Sequence, residues 1–242
     1  MPEIFLNCDL GEWESPEETA ALMPFLHMAN IACGGHAGTL ESITHCAVLA
    51  EARKPIAVST GAHPGVSSPD RGRSLPTHFS TEDFQELLSL QIQRYVSAAD
   101  LNHIKLHGAL YHLTETNAEF RQSFLNFVQH HCLISIVCLA GGTVAKEAEE
   151  RGLAILPEIF LDRNYSPDGS LLPRSHPEAL IDAQESILQR LESLQHTGCI
   201  YALDGSPIQL PKHYQYLTAC VHSDSPNSLQ IVQAAKQFLD QS

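Results

Sequence analysis

The chain has 242 residues, 43% hydrophobic and 17% charged, a length and composition suited to one α/β barrel domain spanning 1–242. Its formal charge of −14, with only 14 Lys and Arg, argues against nucleic acid or an anionic membrane as partner, since both need clustered cations. No apolar run reaches the about 20 residues that cross a bilayer, and Met1-Pro2-Glu3 does not begin a signal peptide, so a cytoplasmic location is expected.

Ile4-Phe5-Leu6-Asn7-Cys8-Asp9 predicts a short buried strand, and Leu10-Gly11-Glu12 turns the chain just beyond Asp9. A second strand is expected at about Phe25 to Cys33, running into Gly34-Gly35-His36-Ala37-Gly38. Glycines at a strand end let backbone approach a ligand closely and leave one imidazole exposed. Thr39 can cap a helix that runs to about Ala52, with Glu41 and Ser42 in its first turn. Pro55 precedes an expected third strand, Ile56 to Thr60, which leads to Gly61-Ala62-His63-Pro64-Gly65.

Between Gly65 and Pro76 the composition turns to Ser, Pro, Asp, Arg and Gly, a surface loop beside His63. Its Arg71 and Arg73 suit either a flap over an anionic substrate or a plain solvated loop. Ser80 with Asp83 forms a capping pair for a helix to about Ala99, whose Leu87, Leu88, Ile92, Tyr95 and Val96 make a core-facing stripe. Asn102 to Leu106 is the fourth strand, ending on Lys105-Leu106-His107-Gly108, and Ala118 to about His131 is a helix.

Leu133 to Leu139 is a fifth strand, after which Ala140-Gly141-Gly142-Thr143 open a helix to Arg151 whose free amides could hold a carboxylate or phosphate. Leu153 to Phe160 is the sixth strand and carries Glu158; Asp162 to Gly169 is turn-rich, with Arg174 beyond, and a helix is expected from Pro177 to Gln195. Cys199 to His213, broken by Asp204-Gly205-Ser206-Pro207, reads as an extra hairpin before the seventh strand, Tyr216 to Val221. Ser225-Pro226 starts the last helix. The seven cysteines contain no C-x-x-C pair, and Cys8, Cys33, Cys138 and Cys220 sit in apolar runs as small buried hydrophobes.

Strands alternating with helices predict a parallel sheet, and if it closes into a barrel the C-terminal strand ends share one face, where such barrels build active sites. Asp9, His36, His63, Lys105, His107, Glu158, His222 and Asp224 all fall at or next to those ends. Buried together without partners they would cost several kcal/mol, so they call for a metal, a substrate or one another. A carboxylate with two imidazoles suits a divalent ion such as Zn²⁺, and Asp9, His36 and His63 are the first choice of ligands. Lys105 and Arg163 can hold a substrate carboxylate or oxyanion, while Glu158 or His107 can move protons. H-E-x-x-H, Walker A, G-x-G-x-x-G and G-x-S-x-G motifs are absent, which removes support for a zincin peptidase, a self-sufficient P-loop ATPase, a Rossmann dehydrogenase and a serine hydrolase.

Four segments are specific: Asn7-Cys8-Asp9-Leu10-Gly11-Glu12; Asn30-Ile31-Ala32-Cys33-Gly34 with His36-Ala37-Gly38; Gly61-Ala62-His63-Pro64-Gly65; and Lys105 with His107-Gly108-Ala109-Leu110-Tyr111. Fainter matches follow at Asp162-Arg163-Asn164-Tyr165, at Gly169, Leu171 and Arg174, and at His222-Ser223-Asp224. At these residues the chain resembles the LamB/YcsF family. That resemblance implies a seven-stranded parallel β/α barrel of the glycoside hydrolase and deacetylase type. It also implies a role as one component of an ATP-dependent 5-oxoprolinase, which opens 5-oxoproline to L-glutamate with two further subunits, B and C. The expected catalytic residues are then Asp9, Lys105, His107 and Glu158, and the expected substrate contacts are Asn30, His36, His63, Arg163 and His222. The chain departs from the family pattern at Gly35, Leu106, His112 and Ser223, which leaves two other readings open: a metal-dependent deacetylase or amidohydrolase of the same barrel type, and a non-catalytic binding subunit.

Overall fold

The computed structural model of the chain describes residues 2–131, 134–225 and 227–241. Seven parallel strands close into a barrel in the order β1 (Glu3–Leu10), β2 (Met28–Ala32), β3 (Ser59–His63), β4 (His103–Lys105), β5 (Ser135–Leu139), β6 (Ile155–Phe160) and β9 (Tyr216–His222). The last strand inserts between β6 and β1, pairing with β1 from Glu3↔Tyr216 through Asp9↔His222. The expected extra hairpin is present as the antiparallel pair β7 (Cys199–Tyr201) and β8 (Pro207–Gln209). No helix of the described residues is long and apolar enough to cross a membrane.

The helices surround the barrel, and their starts follow local chemistry. Helix α1 (Pro16–Leu22) begins with a capping box in which Ser15 accepts from the Glu18 amide and the Glu18 carboxylate accepts from the Ser15 amide. The same reciprocal pair closes Thr39 with Ser42 at α2 (Leu40–Ala52) and Ser80 with Asp83 at α3 (Thr81–Val96). Helices α4 (Gly108–Thr116), α5 (Ala118–His131), α6 (Thr143–Glu150), α7 (Gln184–Thr197) and α8 (Ser228–Asp240) complete the layer. Their buried faces, including Phe84, Leu88, Phe124, Ile187 and Leu191, pack on outward-facing barrel residues such as Leu6, Ile31 and Ile136 in one continuous core.

Several expected boundaries move, among them the second strand, which starts at Met28 rather than about Phe25. The third strand is Ser59–His63, not Ile56 to Thr60: Ile56 is 72% exposed, while Gly61 pairs with Asn30 on one side and His103 on the other. A Cβ on Gly61 would stand 2.2 Å from the His103 ring, so the strand carries glycine where the barrel interior holds an imidazole. The helix expected from Pro177 begins at Gln184. Residues 177–183 instead run beside the segment after β6, where the Asn164 amide donates to the Ala179 carbonyl and the Ile181 amide to the Asp162 carbonyl. The last helix starts at Ser228, and Pro226, like Leu133 of the expected fifth strand, lies outside the described residues.

Candidate active site

The barrel interior is polar at its C-terminal half. Asp9 on β1 is in register with Asn30 on β2 and with His222 on β9, which places three elements around one carboxylate. Asn30 Nδ2 donates to Asp9 Oδ1 and to Asn7 Oδ1, both at 2.8 Å; Asn7 Nδ2 donates to Glu158 Oε1 at 3.1 Å; and His103 Nε2 lies 2.9 Å from Asn30 Oδ1. Lys105 Nζ sits 2.9 Å from Asp9 Oδ1 and 2.8 Å from Glu158 Oε1, and also donates to Cys220 Sγ at 3.1 Å. Burial lowers the Lys105 ammonium, but Asp9, with Cys220 and Glu158 beside it, outweighs that and raises it well above the usual lysine value. Glu158 is fully buried and its carboxyl is pushed up by desolvation, against the pull of Lys105. His103, desolvated and close to the Lys105 charge, is pushed down to about 3 and stays neutral.

Above this layer four side chains converge. His63 ends β3, His107 precedes α4, His36 lies on the loop after β2, and Glu12 lies on the loop after β1. His36 Nε2 is 2.8 Å and His107 Nδ1 3.2 Å from Glu12 Oε1, and His63 Nε2 is 3.0 Å from His107 Nδ1. The His36 and His107 rings stack with centroids 3.5 Å apart and planes within 3°. Gly65 makes room for the stack: a Cβ there would stand 2.3 Å from His36 Nδ1 and 3.0 Å from the His107 Cβ. Desolvation brings the His63 imidazole down to about 3, with Asp9 opposing, and lowers His36 for the same reason. The ligand atoms of Glu12, His36, His63 and His107 all lie within 4.8 Å of one another, as do those of Asp9, Cys220 and His222, an assortment chemically able to hold a metal ion.

On the opposite wall Asp162, just after β6, accepts from the His222 amide at 2.9 Å, from His222 Nδ1 at 3.0 Å and from the Ser225 hydroxyl. Burial would raise the Asp162 carboxyl, but His222 and Ser225 hold it at about 2, so it is ionised and fixes the imidazole with Nε2 directed toward Asp9 Oδ2, 3.8 Å away. The cavity between the walls measures about 550 Å³ when the open solvent of its mouth is counted. Arg163 and Tyr111 line it, and Arg163 Nε and the Tyr111 hydroxyl are buried without a hydrogen-bond partner among the described residues.

The 65 to 76 loop folds over this cavity. The Arg71 carbonyl accepts from His107 Nε2 at 2.9 Å, the Arg71 guanidinium lies 4.6 Å from the Trp13 ring centre, and Asp224 takes Arg73 at 3.1 Å and Arg174 at 3.4 Å. The Gly141-Gly142 turn serves a different end. The amides of Thr143 and Val144 receive the carboxylate of Glu115, at 2.6 and 3.4 Å, so an internal side chain occupies that helix start.

The site residues expected at the strand ends therefore converge at one end of the barrel in two layers, with Asn30, His36 and Glu158 buried behind those that line the cavity. Asp9, Asn30, Lys105 and Glu158 form the floor; His36, His63 and His107 one wall; His222 and Arg163 the other. Asp9, expected as a ligand beside His36 and His63, is bonded to Lys105, and Glu12 is the carboxylate nearest His36. Glu12, Asp162, Tyr111, Asn7 and His103 were not singled out for site roles from sequence. Glu12 stands inside the quoted first segment, and Asp162 directly precedes Arg163.

The sequence model of the LamB/YcsF family matches residues 4–242. The chain is a member of the LamB/YcsF family. Among LamB/YcsF relatives, the A subunit of 5-oxoprolinase from Pyrococcus abyssi is 33% identical over 250 residues, covering 98% of this chain and 94% of that one. The corresponding 5-oxoprolinase chain of Neisseria meningitidis serogroup A, also an A subunit, is 29% identical over 245 residues, covering 99% and 96%. The crystal structure of a lactam utilization protein from Thermus thermophilus superposes with a TM-score of 0.84 at 29% identity, covering 100% of this chain and 97% of that one.

Proposed function

We propose that this LamB/YcsF chain is the A subunit of an ATP-dependent 5-oxoprolinase, opening the lactam of 5-oxoproline to L-glutamate together with subunits B and C. The observation that carries the reading is the meeting, in one cavity, of a guanidinium with an unpaired Nε, a carboxylate-backed imidazole and a second carboxylate held by a buried ammonium. It is supported by the names of the relatives, whose lengths this chain matches nearly end to end.

A five-membered lactam is a stable amide, so its carbonyl must be activated, water must be delivered and the ring nitrogen must be protonated as the C–N bond breaks. Arg163 is placed to hold the substrate carboxylate, with Tyr111 as a hydroxyl donor beside it. Asp9, kept ionised by Lys105 above Glu158, is placed to take a proton from water; His222, fixed by Asp162, is placed to give one to the departing nitrogen. Asn30 aims the Asp9 carboxylate. Phosphorylation of the lactam oxygen by ATP supplies the activation: one water opens the ring to the γ-glutamyl phosphate, and a second splits that to L-glutamate and inorganic phosphate.

Turnover of 5-oxoproline to glutamate, measured with the chain alone, with B and C, and with and without ATP, tests substrate, energy source and partnership together. Glutamate is expected only from the complete set. Its absence from that set refutes the reading. The imidazole and carboxylate wall favours one other reading, an amidohydrolase using a divalent ion. Lactam or acetamide hydrolysis by the chain alone, dependent on added metal and indifferent to ATP, would select that one.

A further inference from the structure

We propose that Glu12, His63 and His107 form a three-ligand site for a divalent cation of the zinc class, with His36 orienting the carboxylate rather than binding the ion. The hydrogen bonds of the His63 and His107 rings place their protons. A neutral imidazole has one donor and one acceptor nitrogen. His63 Nδ1 lies 2.8 Å from the Lys105 carbonyl and His107 Nε2 lies 2.9 Å from the Arg71 carbonyl, and a carbonyl can only accept. Both protons are therefore committed to the backbone, which is the outer bond that orients metal-ligating histidines.

The other two nitrogens, His63 Nε2 and His107 Nδ1, then present lone pairs to each other at 3.0 Å, and Glu12 Oε1 lies 3.2 Å from the second and 3.5 Å from the first. With both rings neutral, three acceptors face one another with no donor among them, an arrangement satisfied by a cation at its centre or by one further proton on a ring nitrogen. Their spacing suits the cation: ligands at 2.0–2.1 Å from a tetrahedral zinc stand about 3.3 Å apart. The triangle sides of 3.0, 3.2 and 3.5 Å bracket that edge. His63 and His107 stand at 88° to each other, so each can direct an in-plane lone pair to a common point.

His36 cannot join them. Its ring is parallel to that of His107 at 3.5 Å, so an ion in the plane of one ring would lie far out of the plane of the other. Its Nε2, 2.8 Å from Glu12 Oε1, donates to the carboxylate instead. Asp9 Oδ1 already takes Lys105 at 2.9 Å and Asn30 at 2.8 Å, and the ammonium offsets its charge; its Oδ2, 3.4 Å from His63 Nε2, makes Asp9 the competing carboxylate that the Asp9→Asn variant tests. The fourth position faces the cavity, which Glu12, His63 and His107 all line.

Occupancy can be read without turnover, so failure of this site and failure of the lactam reading are distinguishable. Chelator-treated full-length chain is titrated with zinc chloride by calorimetry and with cobalt chloride by visible absorption. One equivalent is expected to bind, with the intense d–d bands of a four-coordinate cobalt site. Glu12→Gln, which keeps shape and folding, is expected to weaken binding more than about 100-fold; His36→Ala, as an orienting partner, about 10-fold to 100-fold; Asp9→Asn less than about 3-fold. His107→Ala is expected to abolish the cobalt bands, and His107→Gln serves if the alanine variant does not fold. Absence of saturable binding by the wild-type chain, or equal affinity in Glu12→Gln and wild type, overturns the proposal. A larger loss in Asp9→Asn than in Glu12→Gln overturns this ligand set.

Discussion

Lys105→Met removes the cation that stands between two carboxylates of the barrel floor while keeping much of the side chain's length and volume. Lys105 is 2% exposed, and its ammonium lies 2.9 Å from Asp9 and 2.8 Å from Glu158. Breaking a buried pair by deleting one partner costs about 3–5 kcal/mol, because the charge left behind has lost water and counter-ion together. With a urea dependence of about 3 kcal/mol/M, the unfolding midpoint at pH 7 should fall by about 1–1.7 M with the slope unchanged. Two controls make the reasoning specific. Glu158→Gln added to Lys105→Met should return part of the loss, a coupling of about 0.5–3 kcal/mol. Acidification should help the single variant: without its cation the Glu158 carboxyl titrates further above its unfolded value, and a group with a raised folded pKa stabilises most at low pH. The deficit should therefore shrink between pH 7 and 5. A midpoint within about 0.3 M of wild type at pH 7, or a double variant no better than the single, would refute the ion-pair account of the floor.

Gly61→Ala places a methyl group 2.2 Å from the His103 ring and 2.3 Å from its carbonyl, and should lower stability by about 1–3 kcal/mol in denaturant titration. His103 is held neutral with its folded pKa at about 3, below the unfolded value, so stability is present above pH 6.5 and lost as pH falls. In His103→Gln the slope of stability against pH between 6 and 4 should be shallower than wild type by about 1.4 kcal/mol per pH unit, and an unchanged slope would count against a neutral buried imidazole. Asp162→Asn keeps the size of the side chain but releases the His222 tautomer. Glutamate formation by the chain together with B and C should fall by about 10²–10⁴-fold in kcat, while stability falls by no more than about 1–3 kcal/mol, the cost of unpaired buried groups.

The parallel order and the face that carries the site were legible because the first four strand ends announce themselves locally, by Asp9, by glycines around His36 and His63, and by Lys105 before His107. The cap at Thr39 and the capping pair at Ser80 were equally local. What local pattern could not give was pairing at a distance. Ile56-Ala57-Val58 has the stronger strand propensity, yet Gly61 and Ala62 enter the barrel wall because Asn30 and His103 flank Gly61 across the sheet. The 177–183 segment has helical composition, but its backbone bonds go to the turn after β6. That Asp9 shares its carboxylate between His63 and Lys105, 96 residues away, while Glu12 takes His36 and His107, depends on such pairing.

The pairing of the last barrel strand with the first has a consequence for biosynthesis. As the chain leaves the ribosome, β1 has one free edge until Tyr216–His222 arrives, and the same event brings His222 to Asp9. A chain terminated before that strand is left with two unprotected sheet edges and a water-filled polar lumen, a species for chaperones and proteases rather than a weakened catalyst. Nonsense or frameshift lesions anywhere upstream of Tyr216 should therefore act as complete losses, and fragments lacking this strand should accumulate in inclusion bodies.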